Sequence, residues 1–383
     1  QGFSWVGFAA NLGAIAVVSF GVVPLVLGGV AALALSGHVA GLLWSVAGTV
    51  SGLLLSFLEQ AAAVQGELTP LAAPGLLESL AAVLGAALLF LPRGAPTRWL
   101  GLFLLAPLFL PPPEPLDEGD MELEVLDAGQ GTAVLLRSAG RVLLYDSGPG
   151  DGVGRDMVLS AIAPALARSR RAAPDRVIIS HGDLDHAGGL GSLHGRYPAA
   201  EYHGNLPRPQ GWMADCRTPL AWAWDDTTLR VLHPSPGLPY LGNDSSCVLS
   251  IVRRGQRILL SGDISVSVEA RLLRGGLIRP TDVLLVPHHG SLTSSSAGLI
   301  EASRPRLAVV TASLGNRFGF PRAEIRERYE NAGIPFWSTG DCGALRIVLK
   351  TDGSLHATSA RLQRPAAWRW PAAADCPVDR QLP

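Results

Sequence analysis

The first 58 residues contain no Asp, Glu, Lys or Arg, and His38 is their only titratable side chain. A stretch that long without a charge has no solvated face, and the environment it suits is the hydrocarbon of a bilayer. Within it, Ala9 to Leu35 exceeds the ~20 residues a helix needs to cross. Val39 to Leu58, and Leu71 to Leu91 broken only by Glu78, are long enough to repeat the crossing. A fourth run, Trp99 to Leu110, is short and would thin the bilayer or lie at its interface. Residues 1–113 are therefore expected to be a bundle of transmembrane helices, in preference to buried helices of a soluble core. The chain opens at Gln1 with neither Met nor a basic leader, which suggests a piece of a larger membrane protein.

Arg93 and Arg98 are the only basic residues among these runs. The positive-inside rule puts the loop that carries them in the cytoplasm, and one further crossing would place everything after Pro111 outside. Beyond residue 113 the character changes: 29 basic and 29 acidic residues share 270 positions, the charge density of a globular domain. Pro111, Pro112, Pro113 and Pro115 lead into an acidic stretch, so residues 114–120 read as a stiff linker. From Met121 short β runs (MELEVLD, TAVLLR, RVLLYD, VIIS) alternate with helix-like segments, giving a layered α/β domain over 121–363. Residues 364–383 lack periodicity and are expected to be an extended tail. The balanced charge does not announce DNA binding, and the one dense basic cluster is Arg168, Arg170 and Arg171.

The chemistry concentrates where apolar strands end. After Val177 to Ser180 comes His181-Gly-Asp183-Leu-Asp185-His186, four ligand-type side chains in six residues. In an extended backbone His181, Asp183 and Asp185 would point one way, with His186 turning the corner. Asp263 follows the run Ile258 to Gly262, and His288-His289-Gly290-Ser291 follows Val283 to Pro287. Each segment alone has an ordinary explanation in helix caps or surface polarity, but three strand ends finishing in ligand types point to a dinuclear metal site. Asp127 and Asp146 are expected to orient ligand imidazoles, with turn formation nearly as good a reading. His194, His203 and His233 are further imidazoles, of which His233 is the most plausible extra ligand. A serine-nucleophile triad built on Ser291 would leave the carboxylates unexplained. The four cysteines have no CxxC spacing. Cys247 reads as core, while Cys216, Cys342 and Cys376 are disulfide candidates if the domain is external, free thiols being equally open.

These residues resemble the metallo-β-lactamase superfamily, and the HxDxDHxGG and PHHGS forms resemble its ComEC branch of bacterial DNA-uptake proteins. The resemblance extends to Leu126-Asp127-Ala-Gly129-Gln130-Gly131, Asp146-Ser-Gly148 and Asn243-Asp244-Ser-Ser, and the N-terminal part resembles that family's membrane competence domain. It implies an αββα sandwich with two divalent metal ions, Mn²⁺ or Zn²⁺, after a channel in the bacterial inner membrane. His181 and Asp183 would hold one ion, Asp185 and His186 the other, with Asp263 bridging and His288 or His289 completing the set. Asp185, Asp263 and His289 would be catalytic, and Ser291, Asn316 and Arg317 would contact substrate. The implied activity is hydrolysis, by a bridging hydroxide, of phosphodiester bonds in the DNA strand that is not imported. DNA, the bilayer and other uptake proteins are the implied partners. The resemblance also puts a histidine where Phe320 stands; a histidine there would suit phosphate contact or leaving-group protonation. Two alternatives remain open: a DNA-guiding domain with impaired turnover, or a membrane-tethered hydrolase of small molecules.

Overall fold

The computed structural model describes the chain apart from residues 1, 4, 65–68, 71–75, 93, 109–115, 151–155, 169–172, 364–375, 378–379 and 383. Two compact units result, Gln1–Pro113 and Glu114–Pro383. The basic cluster at 168–171 falls largely outside the described residues.

In the first unit, helices Trp5–Val17 and Val23–Ala32 run on through a π turn at Val18–Val22. The wide turn, closed by the Val23 N–H on the Val18 carbonyl, sits just ahead of Pro24, whose ring brings no N–H. A second helix, Gly37–Val64, follows. These two are long and apolar enough to cross a membrane. Four crossings were expected, and the described helices give fewer of that length. The third run forms Leu76–Leu89, whose 14 residues reach about 21 Å against a hydrocarbon core of about 30 Å. The fourth gives only Leu100–Leu105, because Pro107 forces the chain into a 3₁₀ turn at Ala106–Leu108. Small residues allow close packing within the unit: Gly29 lies against the Trp44 indole, and the Gly85 and Gly101 backbones touch.

The second unit is a mixed α/β sandwich. Its strands are β1 (Met121–Val125), β2 (Val134–Ser138), β3 (Arg141–Tyr145), β4 (Arg176–Ile179), β5 (Glu201–Gly204) and β6 (Ala214–Asp215). Then come β7 (Leu220–Trp224), β8 (Thr227–His233), β9 (Val248–Arg253), β10 (Gln256–Leu260), β11 (Val283–Leu285), β12 (Leu307–Val310) and β13 (Phe336–Ser338). The last are β14 (Leu345–Leu349), β15 (Leu355–Ser359) and β16 (Arg380–Leu382). One sheet has the order β16-β15-β14-β1-β2-β3-β4-β5-β6, the other β13-β12-β11-β10-β9-β8-β7. Strands buried on both faces are expected to be continuously apolar, as β11 and β12 are.

Three apolar cores separate four layers. The central one, with Leu123, Leu136, Leu249, Ile258, Trp337 and Ile347, lies between the sheets. A second joins β2, β3 and β4 to the helices around Ile162, Leu166 and Leu193. A third joins β10, β11 and β12 to helices Val266–Arg274, Ala297–Ser303 and Ala323–Asn331. Ser265 and Ser296 start the first two of these helices, each hydroxyl accepting a backbone N–H of the opening turn.

The segment expected as an extended tail ends in β16, antiparallel to β15, and Cys376 within it is bonded to Cys342. The reading of Cys247 as an unpaired core residue is corrected: it is buried and also bonded to Cys216. Those two cysteines approach because each sits beside a strand facing the central core, a proximity across sheets that spacing cannot reveal.

Candidate metal centre

Strand direction creates the site. β3, β4 and β5 run parallel, as do β10, β11, β12 and β13, so their C-terminal ends open on common edges. Asp146 follows β3, His181 follows β4, Asp263 follows β10, and His288 and His289 follow β11.

The extended geometry expected for residues 181–185 is not what the backbone adopts. Asp183 caps a single helical turn, Leu184–Ala187, and its carbonyl accepts the N–H groups of His186 and Ala187 at 3.0 and 2.8 Å. Asp185 and His186 are therefore swung inward by a helix rather than aligned by a strand.

The side chains that gather are Asp185, His186, Asp263 and His289, one ligand-type atom from each lying within 4.8 Å of all the others. His186 Nε2 is 3.2 Å from both His289 Nε2 and Asp263 Oδ1. His289 Nε2 is 3.3 Å from Asp185 Oδ2 and 3.5 Å from Asp263 Oδ2. Burial disfavours charge on His186 and His289, but the facing carboxylates outweigh it and raise both imidazoles, His186 strongly. Burial likewise opposes charge on Asp263, and the two imidazoles overcome it and hold that carboxyl well below its ordinary value. Such mutual stabilisation is what a buried, metal-free set of ligands must do to offset its desolvation.

The donor set fits a divalent cation. His186 Nδ1 is 2.7 Å from Asp146 Oδ2, and His289 Nδ1 is 2.6 Å from the Thr311 carbonyl. Both rings therefore keep their Nδ1 protons occupied and aim Nε2 into the cluster, as ligand imidazoles do. His181 is fully buried, with Nδ1 near Ser180 and Ser246 while Nε2 has no hydrogen-bond partner. Its ring centre is 4.3 Å from that of His186, and Asp183 Oδ2 is 3.6 Å from its Nε2. A buried imidazole nitrogen without a hydrogen-bond partner, beside a carboxylate, is a donor pair suited to a cation.

His288 is turned from the cluster: Nε2 meets Asn243 Nδ2 at 3.1 Å and Nδ1 meets Thr293 Oγ1 at 3.0 Å. His288 and His289 both have φ of 52°, the left-handed region that ordinary side chains avoid. Of the two carboxylates expected to orient imidazoles, Asp146 also accepts from the Ser180 N–H and hydroxyl. Asp127 instead bonds the Gly129 N–H and Arg361. Ser291 bonds Thr293, and Arg317 is exposed. The Asn316 amide bonds within its own loop. The other imidazoles lie outside the cluster: His233 bonds the Asp244 carbonyl, His194 stacks on Trp212 and His203 packs by Trp222.

Residues that the motifs did not announce complete the frame. Thr311 fixes His289, and Thr132 bonds both Thr311 and the Asp185 carbonyl. Thr311 follows the apolar run of β12, so the strand-end rule that found the ligands would have found it too. Asp146→Asn should lower metal affinity about 10- to 100-fold, because the amide can present its N–H₂ where the ring needs an acceptor. Metal titration with a fluorescent chelator competitor checks this, and an unchanged affinity would remove Asp146 from the site.

Residues 126–312 match the metallo-beta-lactamase superfamily and residues 1–96 match the competence protein family. The chain is 34% identical over 301 residues to competence protein ComA of Neisseria gonorrhoeae, covering 78% of this chain and 42% of that protein. It is 31% identical over 259 residues to the uncharacterized protein YcaI of Escherichia coli, covering 66% and 33%. To Recombination protein 2 of Haemophilus influenzae it is 30% identical over 234 residues, covering 61% and 29%. The chain thus spans less than half the length of these relatives.

Proposed function

The chain belongs to the ComEC family of competence proteins, joining a competence-protein segment to a hydrolase-fold domain of the metallo-β-lactamase superfamily, and on that basis we propose that this domain cleaves phosphodiester bonds in the DNA strand that is not imported. The observation that carries the reading is the cluster of two imidazoles and two carboxylates at converging strand ends. Divalent cations there, two of Mn²⁺ or Zn²⁺, would supply Lewis acidity to a phosphoryl oxygen and acidify the attacking water.

The chain's own residues prepare that chemistry. Asp263 lies against both buried imidazoles and would hold metal together with them. Asp185 is one-third exposed and gives the cluster its approach from solvent. His181 and Asp183 would complete the second ion's set. Burial lowers the His288 imidazole, so it is neutral at pH 7. With Asn243 donating to Nε2, its proton resides on Nδ1 and is held by Thr293. Ser291, Asn316 and Arg317 are the side chains we assign to substrate contact, Asn316 also holding its own loop through the Ser313 and Phe320 carbonyls.

The two disulfides suit an oxidising compartment and support placing the domain on the periplasmic side of the inner membrane. The bilayer, DNA and other uptake proteins are the proposed partners, with residues 1–113, the linker 114–120, the domain 121–363 and the closing segment 364–383 as the divisions.

The test uses the full chain in detergent, stripped of metal and reloaded with Mn²⁺ or Zn²⁺. Linear DNA should be degraded only after reloading, and a chelator should stop it. Phe320 favours one second reading, because its ring lies 6.0 Å from that of His288 and brings no proton or charge. In that case two metals bind without cleavage, and Phe320→His gains activity. Preference for a lactam or thioester over DNA would mark a small-molecule hydrolase.

A further inference from the structure

We infer that Phe318 and Phe320, edged by Arg317 and Arg322, form a stacking platform for an unpaired nucleobase beside the metal cluster. This rests on the nucleic-acid reading of that cluster and adds a preference for single strands.

The two rings are stacked at 19° with centres 5.6 Å apart. Phe318 is 42% exposed. One exposed ring would mean nothing; two parallel rings, each with a guanidinium near its face, are a different object. Arg317 lies 4.7 Å from the Phe318 ring centre and Arg322 lies 5.7 Å from that of Phe320. An exposed arginine on an aromatic face is a movable cover, able to turn to a backbone phosphate as a base takes its place.

The platform is fixed to the cluster. Asn316 Oδ1 accepts the N–H groups of Phe318 and Phe320 at 3.1 and 3.0 Å, and Gly319 between them has φ of 63°. Only glycine takes that turn without strain, which lets both rings emerge from one short loop. The Arg322 N–H bonds the Gly290 carbonyl at 3.0 Å, and Pro321 packs on Gly290, the residue after His289. A base stacked on these rings would therefore have its phosphate near His288. Bases inside a duplex have both faces covered, so the platform selects an unpaired one.

The experiment is fluorescence anisotropy of a labelled single-stranded oligonucleotide with the full chain in detergent and chelator, so that nothing is cut. Phe318→Ala should weaken binding about tenfold, while Phe318→Trp stays within twofold and closed circular duplex competes equally against both. A Phe318→Ala affinity within twofold of wild type would overturn the platform. So would an equal loss for single strand and duplex, which would point to phosphate contacts instead. If wild type binds no oligonucleotide, the platform and the DNA reading fall together. If binding depends on Phe318 but reloaded metal gives no cleavage, the platform stands and the nuclease reading falls.

Discussion

Asp263→Ala should empty the centre and abolish metal-dependent hydrolysis. Its two oxygens lie 3.2 and 3.5 Å from the Nε2 atoms of His186 and His289, and it is the more buried of the two carboxylates that face both rings, Asp185 being the other. Metal affinity should fall by more than the 10- to 100-fold typical of residues that merely support a ligand, read as metal content after dialysis. Retention of a full metal complement would refute the assignment. The metal-free form adds a pH signature. His186 and His289 are raised when folded, so their contribution is complete below about 6.5 and is lost as pH rises through the folded values. Asp263 is depressed, so its contribution is present above about 3.9 and is lost as pH falls through its folded value. Metal-free wild type should therefore be more stable near pH 6 than near pH 9, and Asp263→Ala should flatten that difference. Because ions need unprotonated imidazoles, metal affinity should climb over the same interval.

Glu269→Ala should be the most destabilising change outside the cluster. Glu269 is fully buried on helix Val266–Arg274, and its carboxylate accepts the N–H groups of Ser295 and Ser296 at 2.6 and 2.8 Å. Ser295 itself has φ of 56°, and Tyr329 and Arg328 bond it from helix Ala323–Asn331. Removing the carboxylate orphans two donors at about 1–3 kcal/mol each, and the loop they hold carries His288 and His289. The midpoint of thermal unfolding should drop by roughly 10 °C, with Glu269→Gln losing less because one acceptor remains. A drop under about 2 °C would show that the loop is held by other means.

Much of the sandwich could be read from sequence because apolar runs of strand length ended in polar, ligand-type residues. His181, Asp185, His186, Asp263 and His289 are all strand-end residues or one turn beyond. What escaped depends on distance in space. Pairing of Cys216 with Cys247 crosses sheets, and the Glu269 clamp joins a helix to a loop 26 residues away. Helix capping is an ordinary explanation of residues 181–186, but ligand-type spacing does not reveal that the backbone turns helical already at Leu184. Phe320 was read through what it lacks, so its stacking on Phe318 went unnoticed. In the membrane unit the shortness of the fourth run is legible in the sequence, whereas the third, long enough to cross by hydropathy, gives a described helix of only 14 residues.

The left-handed pair at His288 and His289 sets stability against function. A non-glycine residue held in that region costs on the order of 1–3 kcal/mol, and glycine would adopt it freely. Glycine at position 289 should thus relieve that backbone cost while deleting an imidazole of the cluster, so selection for thermal endurance alone would drive this turn toward an inert protein.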